Sequence, residues 1–309
     1  MAAIRIGISG WRYAPWRGDF YPEGLVQKHE LRFASRAVNS IEINGSFYSL
    51  QTPPRFAQWH DETPDDFVFA VKAPRYITHV LRLREVEKPL ANFLASGLFC
   101  LKAKLGPLLW QFPPSLRFDP PLFEAFLARL PHDTRTALAL ARGCEARMEG
   151  RAHLQIDCNR PLRHAVEIRN GSFVTPAFVE LLRRYRVALV VADTAGKWPL
   201  QEDLTADFVY LRLHGAEELY ASGYTDEALG DWCRRIRAWT TGGQPEDARL
   251  IDPAARPPSK PRDVYCYFDN DVKVRAPYDA RALLRRLGLE GGLAAIPGRG
   301  FVDNRGVAS

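Results

Sequence analysis

The sequence predicts an α/β protein built as a single (β/α)8 barrel of the TIM type, with insertions before the fifth and eighth strands. Three observations predict it. Eight short apolar runs of strand length recur along the 309 residues, alternating with stretches of helical pattern. Each begins apolar and turns polar on one face at its carboxyl end, as strands do when they converge on one site. The rival fold, a doubly wound open sheet, usually carries a Gly-rich phosphate turn after its first strand. Here Gly7-Ile-Ser-Gly10-Trp11 lacks the G-x-G-x-x-G spacing and sets a tryptophan where a backbone would have to approach closely.

The elements follow in order. Ile4, Ile6 and Ile8 alternate with Arg5, Gly7 and Ser9 in a first strand, which leads into an aromatic loop with Trp11, Tyr13 and Trp16. A helix is expected around Leu25–Val38, then a second strand, Ser40–Asn44, with Glu42 and Asn44 sharing one face. Thr52-Pro-Pro opens a short helix as N-cap and first turn. Phe67–Lys72 is the third strand, a helix occupies much of 85–103, and Leu108–Gln111 is the fourth strand, closed by Pro113-Pro114. Asp119-Pro-Pro caps a helix whose Phe123, Phe126, Leu127 and Leu130 fall on one stripe.

Residues 133–163 exceed what a barrel connection needs and have room for an extra helix before the fifth strand, His164–Asn170. A helix opened by Thr175-Pro precedes the almost wholly apolar Val187–Asp193, and Phe208–His214 is the seventh strand. Thr225 caps the next helix. Residues 241–262, rich in Pro, Gly and charge, read as a flexible insertion before the eighth strand, Val264–Phe268, on the face opposite the site. A helix around Asp279–Leu287 ends a single domain of residues 4–290, and 291–309 read as a loose tail.

Composition narrows the function classes. A hydrophobic share of 46 % and a charged share of 25 % belong to an ordinary globular chain with a large core. The formal charge of +6 comes from arginines scattered over helices rather than from a basic run, so nucleic acid is an admissible partner but not the favoured one. Five distant cysteines (Cys100, Cys144, Cys158, Cys233 and Cys266) form no C-x-x-C pair, which argues for a reducing compartment. With no signal segment and no apolar run of about 20 residues, a cytoplasmic protein without membrane contact is expected.

Strand ends select the candidate site. They pick Ser9 and Trp11, Glu42 and Asn44, Lys72, Gln111, Glu167 and Arg169, Asp193, Arg212 and His214, with Asn270 and Asp271 just beyond the eighth strand, where parity is ambiguous. Each taken alone has a plain structural reading, such as a helix cap or a satisfied core histidine. Together they imply a pocket, because burying several charges costs several kcal/mol unless they pair or bind something.

The same residues carry a resemblance. Gly7–Tyr13, Ile41-Glu-Ile-Asn-Gly-Ser-Phe-Tyr48, Val71-Lys-Ala-Pro-Arg75 with Ile77-Thr-His79, Gln111-Phe-Pro-Pro114, Ala165-Val-Glu-Ile-Arg169, Thr205–Gly215 and Tyr267-Phe-Asp-Asn-Asp271 resemble, in order, the blocks of the YecE-like family, the domain of unknown function seventy-two. The likeness runs from about residue 4 to 287. It implies a TIM-type barrel and no assigned reaction. Departures fall at Arg12, Gly45, Asn170, Phe173 and Asp269, all at the rim.

Four chemistries fit the residues. The favoured one is metal-free acid–base catalysis on a small anionic molecule, phosphorylated or carboxylated. In it Glu167, His214 and Glu42 transfer protons, and Glu167 acts as base with His214 as acid. Lys72, Arg169 and Arg212 hold negative charge, while Trp11, Asn44, Tyr48, Gln111, Asp193 and Asn270 line the site. A glycosidase would use Glu42 and Glu167 with Trp11, Trp16 and Tyr48 as sugar platforms. A metal-dependent isomerase or phosphodiesterase would use Glu42, Glu167, Asp193, His214 and Asp271; no cofactor is expected, and magnesium or manganese on carboxylates stays open. A non-enzymatic module for an anion or nucleic acid would use Arg12, Arg17 and Arg75 among the aromatics. A lattice of Glu167, Arg169 and Arg212 that simply plugs the barrel competes with any catalytic role for Glu167.

Overall fold

The computed structural model describes residues 2–215, 222–255, 257–271 and 273–301. Eight parallel strands close on themselves: β1 (Ile4–Ser9), β2 (Ser40–Ile43), β3 (Val68–Lys72), β4 (Leu105–Gln111), β5 (His164–Glu167), β6 (Ala188–Asp193), β7 (Phe208–Leu213) and β8 (Asp263–Phe268). β8 pairs back onto β1, with Ile6 beside Cys266 and Ile8 beside Phe268. No open edge is left in the barrel.

Helices wrap it: α1 (Glu30–Ala37), the single turn α2 (Gly45–Tyr48), α3 (Pro53–Glu62), α4 (Glu87–Ala95), α5 (Pro120–Leu127), α6 (Thr134–Ala141), α7 (Pro176–Arg184), α8 (Asp226–Thr240) and α9 (Arg275–Leu287). The extra helix before β5 is α6, started by Asp133, whose carboxylate accepts from the Thr136 amide. Asp119 and Thr225 cap α5 and α8 in the same way.

The period-2 pattern sorts each strand into two layers. Ile6, Ile41, Phe69, Trp110, Val166, Val191, Leu211 and Cys266 face the helices, and each wholly buried large side chain there contributes roughly 1.5–3 kcal/mol. Ala70, Leu109, Ala165, Val190, Tyr210 and Tyr267 fill the interior. Gly7 is needed because a Cβ there would meet the Ser40 carbonyl oxygen at 1.8 Å.

Three features differ from expectation. Among the described residues, the connection 194–207 from β6 to β7 has no helix. The segment 241–262 packs where that helix would lie, bridging α7 and α8. Glu202 accepts from Arg235 of α8 at 2.5 Å and from the Arg249 amide at 2.9 Å. Asp203 accepts from the amides of Ile251 and Asp252, and Arg183 of α7 donates to the Ala255 carbonyl. Arg262 is buried and donates to the carbonyls of Ala206, Lys260 and Pro258. Composition suggested flexibility because it records few apolar groups, yet polar anchors do the fixing. Third, residues 291–301 of the expected loose tail pack on the barrel, while 302–309 lie outside the described residues: Ala295–Ile296 and Gly300–Phe301 pair as β9 and β10, Ala295 is buried, and Phe301 meets Phe33 edge-on.

No helix among the described residues is long and apolar enough to cross a membrane.

Candidate functional site

On β7, the interior face reads Phe208, Tyr210, Arg212, and the last of these brings a guanidinium into the barrel just below its carboxyl-terminal mouth. Arg212 has no exposed surface. Its Nε and Nη2 donate to Glu42 at 3.1 and 3.0 Å, its Nη1 to Glu167 at 2.8 Å, and Nη2 also to Asp269 at 2.8 Å. Glu42 further accepts from Ser9 at 2.7 Å and Tyr210 at 2.6 Å. Glu167 further accepts from Gln111 at 2.9 and 3.0 Å and from Arg169 at 2.8 Å. The Arg169 guanidinium lies 3.8 Å from the centre of the Trp198 ring. Three carboxylates, two on the strands β2 and β5 and one just past β8, therefore hold one arginine, and the planar fork suits arginine better than lysine.

This lattice sets the proton affinities. Burial alone would raise that of Glu167, but Arg169 and Arg212, then His214 and Lys72, outweigh it and hold the carboxyl well below its usual range. Asp269 behaves alike: burial is overcome by Arg212 and by its hydrogen bond with His214. His214 Nδ1 lies 3.1 Å from Asp269, and burial together with Arg212 lowers its proton affinity.

Other groups at the mouth stand outside the lattice. Lys72 ends β3, is 8 % exposed, and sets its ammonium 4.2 Å from the centre of the Phe47 ring. No carboxylate among the described residues pairs with it. Burial, then Arg212, pulls its pKa down to about 8 against the pull of Asp269, Glu42 and Glu167. His79 is held near 4 by burial and by Lys72, Arg169 and Arg75, three cations around a neutral ring. Asp271 is pushed up to about 6 by burial and by Asp269. Tyr13 turns back to donate to the Ser9 carbonyl at 2.6 Å, a path opened by Gly10 at φ +78°.

Two cavities flank α2 at this end. One, of about 350 Å³, lies among Trp11, Arg12, Asn44, Tyr48 and Arg55; the other, of about 330 Å³, lies among Phe47, Tyr48, Pro74 and Tyr76. Larger hollows of about 510 and 640 Å³ lie at the opposite end, around Arg183, Leu204 and Arg262. Those border the insertion, far from the convergent charges.

The family model described as "Protein of unknown function DUF72" matches residues 5–299. The chain belongs to the DUF72 family. It is similar to the UPF0759 protein YecE of Escherichia coli O157:H7, 30 % identical over 245 residues, covering 76 % of this chain and 82 % of that one. It is also similar to the UPF0759 protein YunF of Bacillus subtilis strain 168, 29 % identical over 185 residues, covering 57 % of this chain and 54 % of that one. The crystal structure of a DUF72 family protein from Thermotoga maritima superposes with a TM-score of 0.68 at 23 % identity, covering 93 % of this chain and 99 % of that one; the likeness is one of fold.

Within this DUF72 barrel, Glu42, Lys72, Gln111, Glu167, Arg169, Arg212 and His214 converge as the strand-end rule expects. Others fall elsewhere. Asp193 lies past the interior residues Val190 and Ala192, turns outward, and accepts from Tyr224 at 3.0 Å. Asn270 is buried and spends its amide on the Ser222 carbonyl and on Asp279 of α9. Asp269, which was passed over, takes its inward place, because Tyr265, Tyr267 and Asp269 form the i, i+2 series. Tyr210 was missed because it sits mid-strand, and His79 because its loop has no period. Trp11 is buried edge-on against Trp59, and Trp16 is fully buried with its Nε1 on the Asp271 carbonyl, so neither offers an open stacking face; Tyr48 is 72 % exposed. Arg17 pairs with Glu30. Asn44 and Tyr48 line the smaller mouth cavities. Among the described residues, no group of three His, Cys, Asp or Glu side chains is arranged to hold a metal ion.

Proposed function

We propose that this protein is an enzyme performing acid–base chemistry on a small anionic substrate at the carboxyl-terminal mouth of the barrel. The observation that carries the proposal is Lys72, a buried ammonium that ends a barrel strand and has no carboxylate partner among the described residues. An unpaired buried charge costs several kcal/mol, and a protein that keeps one is equipped to bind an anion or to exchange a proton there. Arg169 and Arg75, which join Lys72 around His79, add positive potential for a phosphate or carboxylate.

The groups whose proton affinities are drawn toward neutrality from opposite sides are Asp271, near 6, and Lys72, near 8. The proton-transfer role therefore moves to them from Glu167 and His214. Glu167 and Glu42 each accept four hydrogen bonds that fix both carboxylates in place, and Glu167, held well below its usual range, is a weak base. They become positioning residues, with His214 and Asp269, for the rigid floor under the substrate. The same saturation disfavours a glycosidase mechanism through Glu42 and Glu167.

Thermal unfolding in rising phosphate or sulfate tests the reading. Wild type is expected to gain stability, and a folded Lys72→Met variant to lose the response. Arg212→Leu is unsuitable because it would dismantle the lattice. An equal response in both proteins would place the anion elsewhere and defeat the proposal.

A further inference from the structure

We infer that Lys72 is a covalent nucleophile, its free amine condensing with a small aldehyde or ketone that carries a carboxylate or phosphate. The inference rests on the mouth being an anion-binding active site and adds the substrate's reactive group. Lys104 is buried as well, and its ammonium is fully occupied by the carbonyls of His60 and Thr63 at 2.6 and 2.8 Å and the Thr63 hydroxyl at 3.3 Å. That is how this protein treats a structural lysine. Among the described residues Lys72 receives no such set, although Glu42, Glu167 and Asp269 are near enough to influence it electrostatically. Arg212 and Arg169 take those carboxylates instead.

The surroundings suit an amine that must lose its proton and attack. Burial and the nearby Arg212 guanidinium favour the neutral amine over the ammonium, against the attraction of the Phe47 ring face 4.2 Å from Nζ, which holds the side chain in place. The Ser46 hydroxyl donates to the Lys72 carbonyl at 2.7 Å, tying α2 to the end of β3 and fixing the base of the side chain. In the reaction the nitrogen lone pair attacks the carbonyl carbon and the C=O π pair moves to oxygen. Transfer of a proton from nitrogen to oxygen gives the carbinolamine. Its hydroxyl leaves as water after a further protonation, and loss of the remaining N–H proton yields the neutral imine. One amine and one carbonyl give one imine and one water, with no oxidant or reductant. Protonated again on nitrogen, the imine becomes an iminium that takes up the electron pair released when an α-proton is lost or an adjacent carbon–carbon bond breaks, giving an enamine, so both are accessible acid–base steps.

Reductive trapping tests this. The full-length protein is incubated with pyruvate or dihydroxyacetone phosphate and sodium cyanoborohydride at neutral pH, and adducts are located by peptide mass mapping. Lys72 should be alkylated about tenfold or more faster than exposed lysines such as Lys88 and Lys102, because a larger share of its amine is unprotonated. Lys104 should stay unmodified, and methyl pyruvate, which lacks the charge, should react more slowly at Lys72 than pyruvate does. Lys72→Arg, which keeps the charge but forms no imine, should lose that adduct alone. Alkylation of Lys72 no faster than that of Lys88 with both probes, in a protein that phosphate still stabilises through Lys72, would overturn the imine and leave the anion site standing. Rapid alkylation by pyruvate and methyl pyruvate alike, with no stabilisation by phosphate, would support the imine and defeat the anionic-substrate reading.

Discussion

Arg212 and Glu167 meet at 2.8 Å on neighbouring sides of the barrel interior, and neither has any exposed surface. Removing one partner of such a pair strands the other charge in a low-dielectric site. Glu167→Gln, which keeps shape but not charge, should therefore lose roughly 3–5 kcal/mol of stability. Urea unfolding would read this as a lower midpoint at unchanged slope. A midpoint equal to wild type would show that the lattice is not what holds the mouth together.

Lys72→Met should act in the other direction. The folded state lowers the Lys72 pKa from 10.5 to about 8, so below 8 the ammonium is charged in both states and its burial cost is fully present. As pH rises from 8 to 10.5 the folded protein sheds the proton first and the cost fades. The variant should be more stable than wild type by on the order of 1–3 kcal/mol near pH 7, and the gap should close above pH 10. Calorimetry across that range checks it.

Asp271 gives a second pH signature. Its pKa is raised from 3.8 to about 6 on folding, so the protonated form is favoured in the native state. The associated stability is fully present below 3.8 and is lost as pH rises through 6. Asp271→Asn should remove this loss, seen as a flatter stability profile between pH 4 and 7. Once a substrate is in hand, kcat/KM should be bell-shaped, with limbs near 6 and 8, whichever of the pair acts first.

The segment 241–262 should prove structural. Deleting 243–260 removes the amides that Asp203 and Glu202 bind and the carbonyls that Arg262 needs, leaving buried charges unpaired. The deletion should lower the melting temperature by more than about 10 °C or prevent folding. A deletion protein that melts with wild type would return the segment to the status of a dispensable loop.

Much of this was legible in the chain. Alternation in runs such as Phe208-Val-Tyr-Leu-Arg-Leu records two faces directly, so the strands and most of the inward charges were readable. Ambiguity entered where periodicity stops. One residue past β8, parity decides between Asp269 and Asn270, and extending the series from Tyr265 and Tyr267 would have chosen the first. Asp193 misled because a strand-end carboxylate looks the same whether it points inward or toward a tyrosine on the helical side. Which mouth cation has no carboxylate partner among the described residues was not legible at all, since it depends on how Arg212 and Arg169 divide Glu42, Glu167 and Asp269 between them. The anchoring of 241–262 was hidden for a similar reason: its partners, Glu202, Asp203 and Arg183, are distant in sequence.

The most direct measurement is the titration of Lys72 itself. The lysine 13Cε signals can be followed by NMR against pH, with Lys72→Arg identifying the resonance. A midpoint near 8 is expected in the free protein, moving upward when phosphate is added because an anion stabilises the ammonium. A midpoint at the ordinary lysine value, indifferent to phosphate, would contradict the proposed role of Lys72.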